Sequence, residues 1–145
     1  MERRKDERRL VIRVLSRWQD LASAGGLPRR SQIDPREFGQ DWASCLLIDL
    51  DPERQRSRLA FIGDRLRDPT GPAFDRQRIG ECLENTLLHS AIAALDRIAA
   101  DGERFGEGPG MHFGAPVLFR SILLPLSEDG HRIDGALGAV NCRDI

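Results

Sequence analysis

The stretch A-P-V-L-F-R-S-I-L-L-P-L-S-E-D-G-H-R-I-D-G-A-L-G-A-V-N-C, from Ala115 to Cys142, decides the fold class. It consists of two apolar runs separated by a short polar segment that contains Asp129 and Gly130. Glycine tolerates the positive φ that a tight turn demands, so an Asp-Gly pair between apolar runs is a signature of a β-hairpin. The stretch therefore predicts the last two strands of an antiparallel sheet.

The size and composition predict one soluble domain. The chain has 145 residues, of which 40% are hydrophobic and 31% charged, and its formal net charge is -1. A chain of this size buries roughly 70% of its unfolded surface, which is enough for a core without disulfides or metals. The near-neutral charge gives no global field that would attract nucleic acid. Three widely spaced cysteines, a charged N-terminus and the lack of an apolar run of ~20 residues predict a reduced, cytoplasmic protein without a membrane span.

Residues 3–23 have the apolar spacing of an amphipathic helix. Leu10, Val14 and Trp18 recur on one face at intervals of four residues. At ~100° per residue, Ile12 lies nearly opposite Val14 and Trp18, on the polar side of the helix. The pattern fits a helix that packs only on its own domain, and it also fits a helix that contacts a second copy of the chain.

The middle of the chain predicts further strands and helices. The residues Asp34-Pro35-Arg36-Glu37 have the order of a capping box and begin a short helix that runs through Trp42. Residues 45–50 and 58–63 predict the first two strands, and their short connection makes them antiparallel. Residues 81–101 predict the main helix. The glycine-rich segment that follows this helix, with Phe105, Met111 and Phe113 as anchors, predicts the third strand.

Several different short motifs occur along the chain in an order that is typical of one protein family. They are Trp18-Gln19, Gly26-Leu27-Pro28-Arg29-Arg30, Ile33-Asp34-Pro35, Leu47-Ile48-Asp49, Phe61-Ile62-Gly63, Leu123-Leu124-Pro125-Leu126 with Asp129-Gly130, and Leu137-Gly138-Ala139. Together with the order of the elements, they resemble the PAS domain family over residues 15–141, in particular stand-alone bacterial PAS-like proteins with an N-terminal helix. The resemblance implies an α+β fold: a PAS-like five-stranded antiparallel sheet with helices on one face and an N-terminal helix. Residues 1–26 would form that helix, and residues 27–145 the PAS-like domain.

The resemblance implies a sensory or adaptor protein that acts in signalling. PAS domains hold a ligand between the long helix and the sheet, or use the outer sheet face and the N-terminal helix to dimerise or to contact a partner. The implied pocket for a small apolar ligand is lined by Phe61, Leu88, Ile92, Leu95, Phe119 and Ser121. The implied contact surface, for another signalling protein or for a homodimer, contains Ile12, Trp18, Arg120, Ile122 and Leu124.

Arg120 and Ser121 interrupt an otherwise apolar strand. Because neighbours on a strand face opposite sides, only one of them can point towards the helix-covered face. Ser121, which shares a face with Phe119, is expected to reach the pocket. Arg120 is expected on the outer face with Ile122, under the N-terminal helix or a partner. Pairing of Arg120 with a nearby acid is an equally good interpretation.

This sequence has no residue in a suitable position to match those that bind haem or flavin in PAS domains. His89 lies on the long helix, where haem-binding PAS domains place their iron ligand, but helical geometry puts it beside Asp96 and Arg97 and away from the apolar stripe. The cysteines do not occur in the flavin-adduct context of light-sensing PAS domains, and no paired His or Cys motif indicates a metal site. The sequence therefore predicts neither haem nor flavin, and no metal.

Two other classes of function remain open at this point. An enzyme on a PAS-like or cone-shaped α+β scaffold would need a pocket that joins at least two of Asp49, Glu103 and His112. Nucleic-acid binding through the arginine-rich residues 1–9 would give an affinity that falls steeply with salt. Since the sequence shows no convergent catalytic set, we prefer a protein that binds a signalling partner or a ligand, and we expect neither nucleic acid nor a membrane as a partner.

Overall fold

The computed structural model of the chain describes residues 2–22, 26–53, 56–66, 104–112 and 115–144. The elements are α1 (Glu2–Ala22), a 3-10 helix at Arg30–Gln32, α2 (Pro35–Phe38), a 3-10 helix at Gly39–Ser44, β1 (Cys45–Asp49), β2 (Arg58–Ile62), a 3-10 helix at Asp64–Leu66, β3 (Arg104–His112), β4 (Ala115–Leu126) and β5 (Gly135–Asp144). The predicted main helix at residues 81–101 lies outside the described residues.

The five strands form one antiparallel sheet in the order β2-β1-β5-β4-β3. The predicted hairpin is confirmed, because β4 and β5 pair along their length, from Val117 opposite Asp144 to Leu126 opposite Gly135. On its other side β5 pairs with β1. The last strand of the chain is therefore the central strand, and the sheet is complete only when the C-terminal hairpin lies beside β1. The predicted α+β architecture with a five-stranded antiparallel sheet is confirmed.

The turn between β4 and β5 is organised around Asp129. Its Oδ1 accepts hydrogen bonds from the backbone N–H groups of His131 and Arg132, each at 2.8 Å, and from the hydroxyl of Ser127 at 3.0 Å. The N–H of Arg132 contributes most, then that of His131, and together these bonds lower the pKa of Asp129 to about 2. Gly130 follows with a φ of 80°, a conformation that glycine adopts without steric cost.

The short helix after Asp34 is split into two parts. The Asp34 carboxylate accepts a hydrogen bond from the backbone N–H of Arg36 at 3.0 Å, which confirms the N-cap. The helix was predicted to run through Trp42, but α2 ends at Phe38. Gly39 has a φ of 56°, which is incompatible with a continuing α-helix, and the chain proceeds as a 3-10 helix to Ser44.

Gly63 allows β2 to end directly against this 3-10 helix. Its N–H donates to the carbonyl oxygen of Cys45 at 2.8 Å. A Cβ atom on Gly63 would lie 2.2 Å from the carbonyl oxygen of Ala43 and 2.8 Å from that of Trp42. Because backbone atoms cannot move away as a side chain can, no larger residue fits here. This close approach is the physical reason for the glycine in Phe61-Ile62-Gly63.

Both faces of the sheet are buried. We call the face that packs against α1 the α1 face; its buried strand residues are Cys45, Leu47, Ile122, Leu124, Leu126, Leu137 and Ala139. The opposite face, which we call the second face, has the buried residues Leu46, Ile48, Leu59, Ile62, Ser121, Leu123, Ala136 and Val140. α1 contributes its predicted apolar stripe, including Leu10, Val14 and Trp18, to the α1 face.

A buried hydrogen bond holds α1 on the sheet. The indole Nε1–H of Trp18 donates to the carbonyl oxygen of Pro125 at 2.9 Å. Pro125 lies near the end of β4, opposite Ala136 of β5. Its carbonyl oxygen is an acceptor in the buried part of the structure. Trp18 supplies the donor that the buried carbonyl requires.

We expect Trp18→Phe to lower the free energy of unfolding by about 1–3 kcal/mol, because the buried carbonyl of Pro125 loses its hydrogen-bond donor. Chemical denaturation followed by circular dichroism measures the loss. Trp42→Phe is the matched control, since Trp42 is half-buried and its role is ring stacking. Equal losses in the two variants would show that ring size, and not the indole N–H, stabilises the contact.

The low pKa of Asp129 predicts a loss of stability in acid. Its folded pKa of about 2 lies below the ordinary aspartate pKa of 3.8. The contribution of the ionised carboxylate is therefore complete above about pH 4 and is lost as the pH falls towards about 2. An NMR titration of the Asp129 carboxyl carbon should give a midpoint near 2. Asp129→Asn keeps the acceptor oxygen and does not titrate, so its stability should depend less on pH in this range. A midpoint near 3.8 would contradict the turn geometry.

Candidate functional site

A β-bulge in β2 decides on which face of the sheet Phe61 lies. Phe61 pairs with Leu47, whereas Leu59 pairs with Ile48, so Ala60 is an extra residue on β2. The extra residue reverses the alternation of the side chains beyond it. Phe61 therefore packs on the α1 face, where Leu47 lies.

Aromatic stacking accounts for the position of Phe61. Its ring stacks on that of Trp42 with centroids 4.6 Å apart. The ring of Phe38 packs on the same tryptophan at 5.3 Å. Such pairs contribute roughly 0.5–1.5 kcal/mol each beyond the area that they bury. The three rings fasten the edge strand β2 to the short helices that precede β1.

Ser121 lies on the second face, so the structure does not place it in one pocket with Phe61. Its neighbour Ile122 belongs to the α1 face, and strand alternation puts Ser121 on the other side. The grouping of Phe61 with Ser121 is corrected, and the physical reason is the bulge at Ala60. Leu88, Ile92 and Leu95 of the predicted pocket lie outside the described residues, and so does the side chain of Phe119.

The hydroxyl of Ser121 is a polar group on an apolar face. Ser121 is only 4% exposed, and within the described part of the chain no hydrogen bond engages its hydroxyl. Its cross-strand partner is Val140, and the next pair along the strands is Leu123 with Gly138. Buried hydroxyls normally bond to protein atoms or to ordered water. Ser121 can thus donate one hydrogen bond to a water or a ligand on the second face.

The five residues predicted to contact a partner separate into a buried set and a surface set. Trp18, Ile122 and Leu124 are buried between α1 and the sheet. α1 itself therefore covers the outer face, which the sequence left open to either α1 or a partner. These three residues are core residues of this chain. Ile12, in contrast, is 60% exposed, and Arg120 is half-buried.

Arg120 lies on β4 beside a residue of the neighbouring strand. The strand register places it opposite Asn141 of β5. Directly opposite residues of antiparallel strands lie on the same face and interact. Arg120 has an interaction partner in the structure. Its position favours the interpretation that it pairs within its own domain over a role in docking.

The described titratable groups do not converge on a catalytic arrangement. Asp49 is more than half exposed at the end of β1 and forms an ion pair with Arg30. Glu103 and the side chain of His112, which an enzyme would have to bring near Asp49, lie outside the described residues. Cys45 is buried, and burial together with a nearby carboxylate raises its pKa to about 12. Its thiol is therefore protonated and a poor nucleophile at neutral pH.

The described ranges contain no group of three or more His, Cys, Asp or Glu side chains that could hold a metal ion. His89, the position that resembles a haem ligand, is not among the described residues. No helix within the same ranges has both the length and the apolar character needed to cross a membrane.

The sequence did not predict the ion pair that joins α1 to the 3-10 helix at Gly39–Ser44. Arg13 donates to both carboxylate oxygens of Asp41, at 2.6 and 2.7 Å. The Asp41 side chain is only 18% exposed, so the pair is better shielded from water than a typical surface ion pair. The two residues are 28 positions apart, and no local pattern connects them.

Nearly the whole chain matches a known protein family. A family model described as a PAS domain matches residues 7–141, which includes most of α1 and nearly the whole chain. No curated protein matches. The predicted division between residues 26 and 27 stays a prediction.

Several solved structures are similar to this chain at low identity. The PAS domain of BvgS from Bordetella pertussis is 12% identical, with a TM-score of 0.46 over 77% of this chain and 88% of that one. The periplasmic sensor domain of a chemotaxis protein is 18% identical, with a TM-score of 0.47 over 99% and 96%. A fungal LOV domain photoreceptor is 16% identical, with a TM-score of 0.43 over 76% and 80%.

The resemblance found in the sequence is confirmed by the family match, which extends over both the N-terminal helix and the C-terminal hairpin. The described elements agree with it, since they form a five-stranded antiparallel sheet with a helix on one face. This chain belongs to the PAS domain family, whose members are generally sensory and signalling domains and not enzymes.

Proposed function

We propose that this PAS domain acts in signalling by contact with another protein, through the exposed side of α1 around Ile12. The observation that carries the proposal is the exposure of Ile12. It is 60% exposed, whereas Val14 and Trp18 on the opposite side of the same helix are buried. A second copy of the chain is the partner that the purified protein itself can test.

The position of Ile12 on α1 gives its exposure significance. Single exposed apolar side chains are common on protein surfaces. Ile12, however, lies on the helix that covers the sheet, so a partner that buries it binds the element most directly joined to the core. Burial of one such side chain stabilises a complex by about 1.5–3 kcal/mol. That range corresponds to roughly a ten- to hundredfold change in Kd.

The attachment of α1 supports a role in passing a signal. Trp18 connects α1 to β4 at Pro125, and Arg13 connects it to the 3-10 helix at Asp41. A change in the packing of the sheet would reach the outer surface of α1 through these two contacts. A partner bound at Ile12 would affect the packing in return, because coupling between two sites is reciprocal.

We expect Ile12→Glu to weaken self-association of the full chain by at least roughly tenfold in Kd, because a charge replaces the apolar contact. Sedimentation velocity over a range of concentrations measures the change. Gln40→Glu adds the same charge at an exposed position outside α1 and should associate like the parent. A parent chain that stays monomeric, or an equal effect of both substitutions, would exclude α1 as a homodimer interface.

Ligand binding at the second face is a second candidate function. It is favoured by the buried hydroxyl of Ser121, which has no hydrogen-bond partner in the described part of the chain. Leaving such a group unsatisfied costs roughly 1–3 kcal/mol, so an acceptor on a ligand or a water would be stabilising. The apolar surroundings fit a small, mostly apolar ligand with one acceptor.

Native mass spectrometry of the purified chain tests this candidate. We expect a reproducible additional mass on the parent chain, and a several-fold smaller bound fraction for Ser121→Ala, because the ligand loses its hydrogen bond. Ser44→Ala removes a buried hydroxyl from the 3-10 helix and should retain the additional mass. A parent chain without additional mass, combined with a Ser121→Ala variant of equal or higher stability, would indicate a filled core.

A further inference from the structure

A polar groove separates α1 from α2 and the 3-10 helix that follows it. Its volume is about 290 Å³, and it is lined by Arg13, Ser16, Arg17, Asp20, Glu37, Phe38 and Asp41. The α1 residues of this set have the spacing i, i+3, i+4 and i+7, which places them on one side of the helix. We propose that this groove binds a small zwitterionic ligand with the head group of an α-amino acid, a carboxylate beside an ammonium group.

One pair of charges in the groove is already neutralised. Arg13 makes two hydrogen bonds to Asp41, whose side chain is mostly buried. Two parallel bonds between a guanidinium group and a carboxylate fix both side chains in position. This pair therefore forms a rigid end of the groove and leaves the recognition of a ligand to the other residues.

Arg17 and Glu37 are two opposite charges that line the same groove without neutralising each other. Both are exposed, and across the described ranges neither side chain makes a hydrogen bond or an ion pair, although the charge of Glu37 interacts with that of the adjacent Arg36. Arg36, the neighbour of Glu37 in the chain, is instead paired with Asp34 at 3.2 Å. A groove with an unpaired cation and an unpaired anion is complementary to a ligand that carries both charges.

The remaining residues divide the groove into two halves. A guanidinium group presents the planar donors that match a carboxylate, so Arg17 receives the carboxylate of the ligand, and the hydroxyl of Ser16 can add a donor. Glu37 accepts from the ammonium group, and Asp20 adds negative charge to the same lining. The ring of Phe38 provides the apolar boundary. The volume suits a molecule of amino-acid size, at the lower limit of ligand sites.

Binding in this groove is expected to be weak and to require both charges. Because Arg17 and Glu37 are in contact with water, each ion pair should change Kd by roughly two- to fivefold. The groove contains neither Ile12 nor Ser121. Its test is therefore separate from the tests of the α1 contact and of the second face.

L-Alanine and its two single-charge analogues test the proposal. Propionate lacks the ammonium group of alanine, and ethylammonium lacks its carboxylate. In ¹H–¹⁵N titrations of the full chain, we expect L-alanine to shift the backbone N–H signals of residues 13–20 and 37–41 in a saturable way. Its Kd should be at least roughly twofold lower than that of either analogue.

Substitutions assign the two charges. Arg17→Gln and Glu37→Gln should each raise the Kd for L-alanine by roughly two- to fivefold. Arg65→Gln, a matched change at an exposed arginine outside the groove lining, should leave the Kd unchanged. The proposal is overturned if L-alanine does not saturate, if propionate or ethylammonium binds equally well, if the shifts lie elsewhere in the chain, or if the two groove variants bind like the parent.

Discussion

The hydrogen bond from the indole of Trp18 to the carbonyl of Pro125 joins the first helix of the chain to its C-terminal hairpin, across 107 positions. Because this hydrogen bond is buried, water cannot replace either partner. The indole N–H and the carbonyl oxygen therefore each need the other to satisfy their hydrogen-bonding capacity. Around it, α1 covers the apolar residues of β4 and β5, including Ile122, Leu124 and Leu137. The last two strands of the chain therefore supply much of the surface on which the first helix packs.

β4 contributes side chains to both faces of the sheet. Its alternating residues place Ile122 under α1 and Ser121 on the second face, and Pro125 receives the indole of Trp18. A ligand at Ser121 and a protein at Ile12 would thus act on opposite sides of one strand and the helix attached to it. This arrangement allows an event on one side to alter the other through packing alone, without a flexible connection.

The parts of the fold that were predictable are those encoded by local patterns. The amphipathic spacing of α1 showed that Val14 and Trp18 would be buried and Ile12 exposed, and Asp129-Gly130 marked the hairpin turn. The candidate pocket was less predictable. Strand alternation grouped residues on the assumption of regular strands, whereas the extra residue Ala60 turns Phe61 to the α1 face. A bulge leaves no clear mark in a single sequence, because it depends on the partner strand.

By itself, the sequence determined α1, the five strands, the hairpin turn and the family, because helical and strand periodicities and turn residues act over a few neighbouring positions. Only the tertiary structure decided which surfaces are free. α1 covers the outer face that the sequence left open to α1 or to a partner, and Arg13 meets Asp41 to form one end of a groove. These outcomes depend on contacts between residues far apart in the chain, and local periodicity contains no information about which distant surfaces will meet.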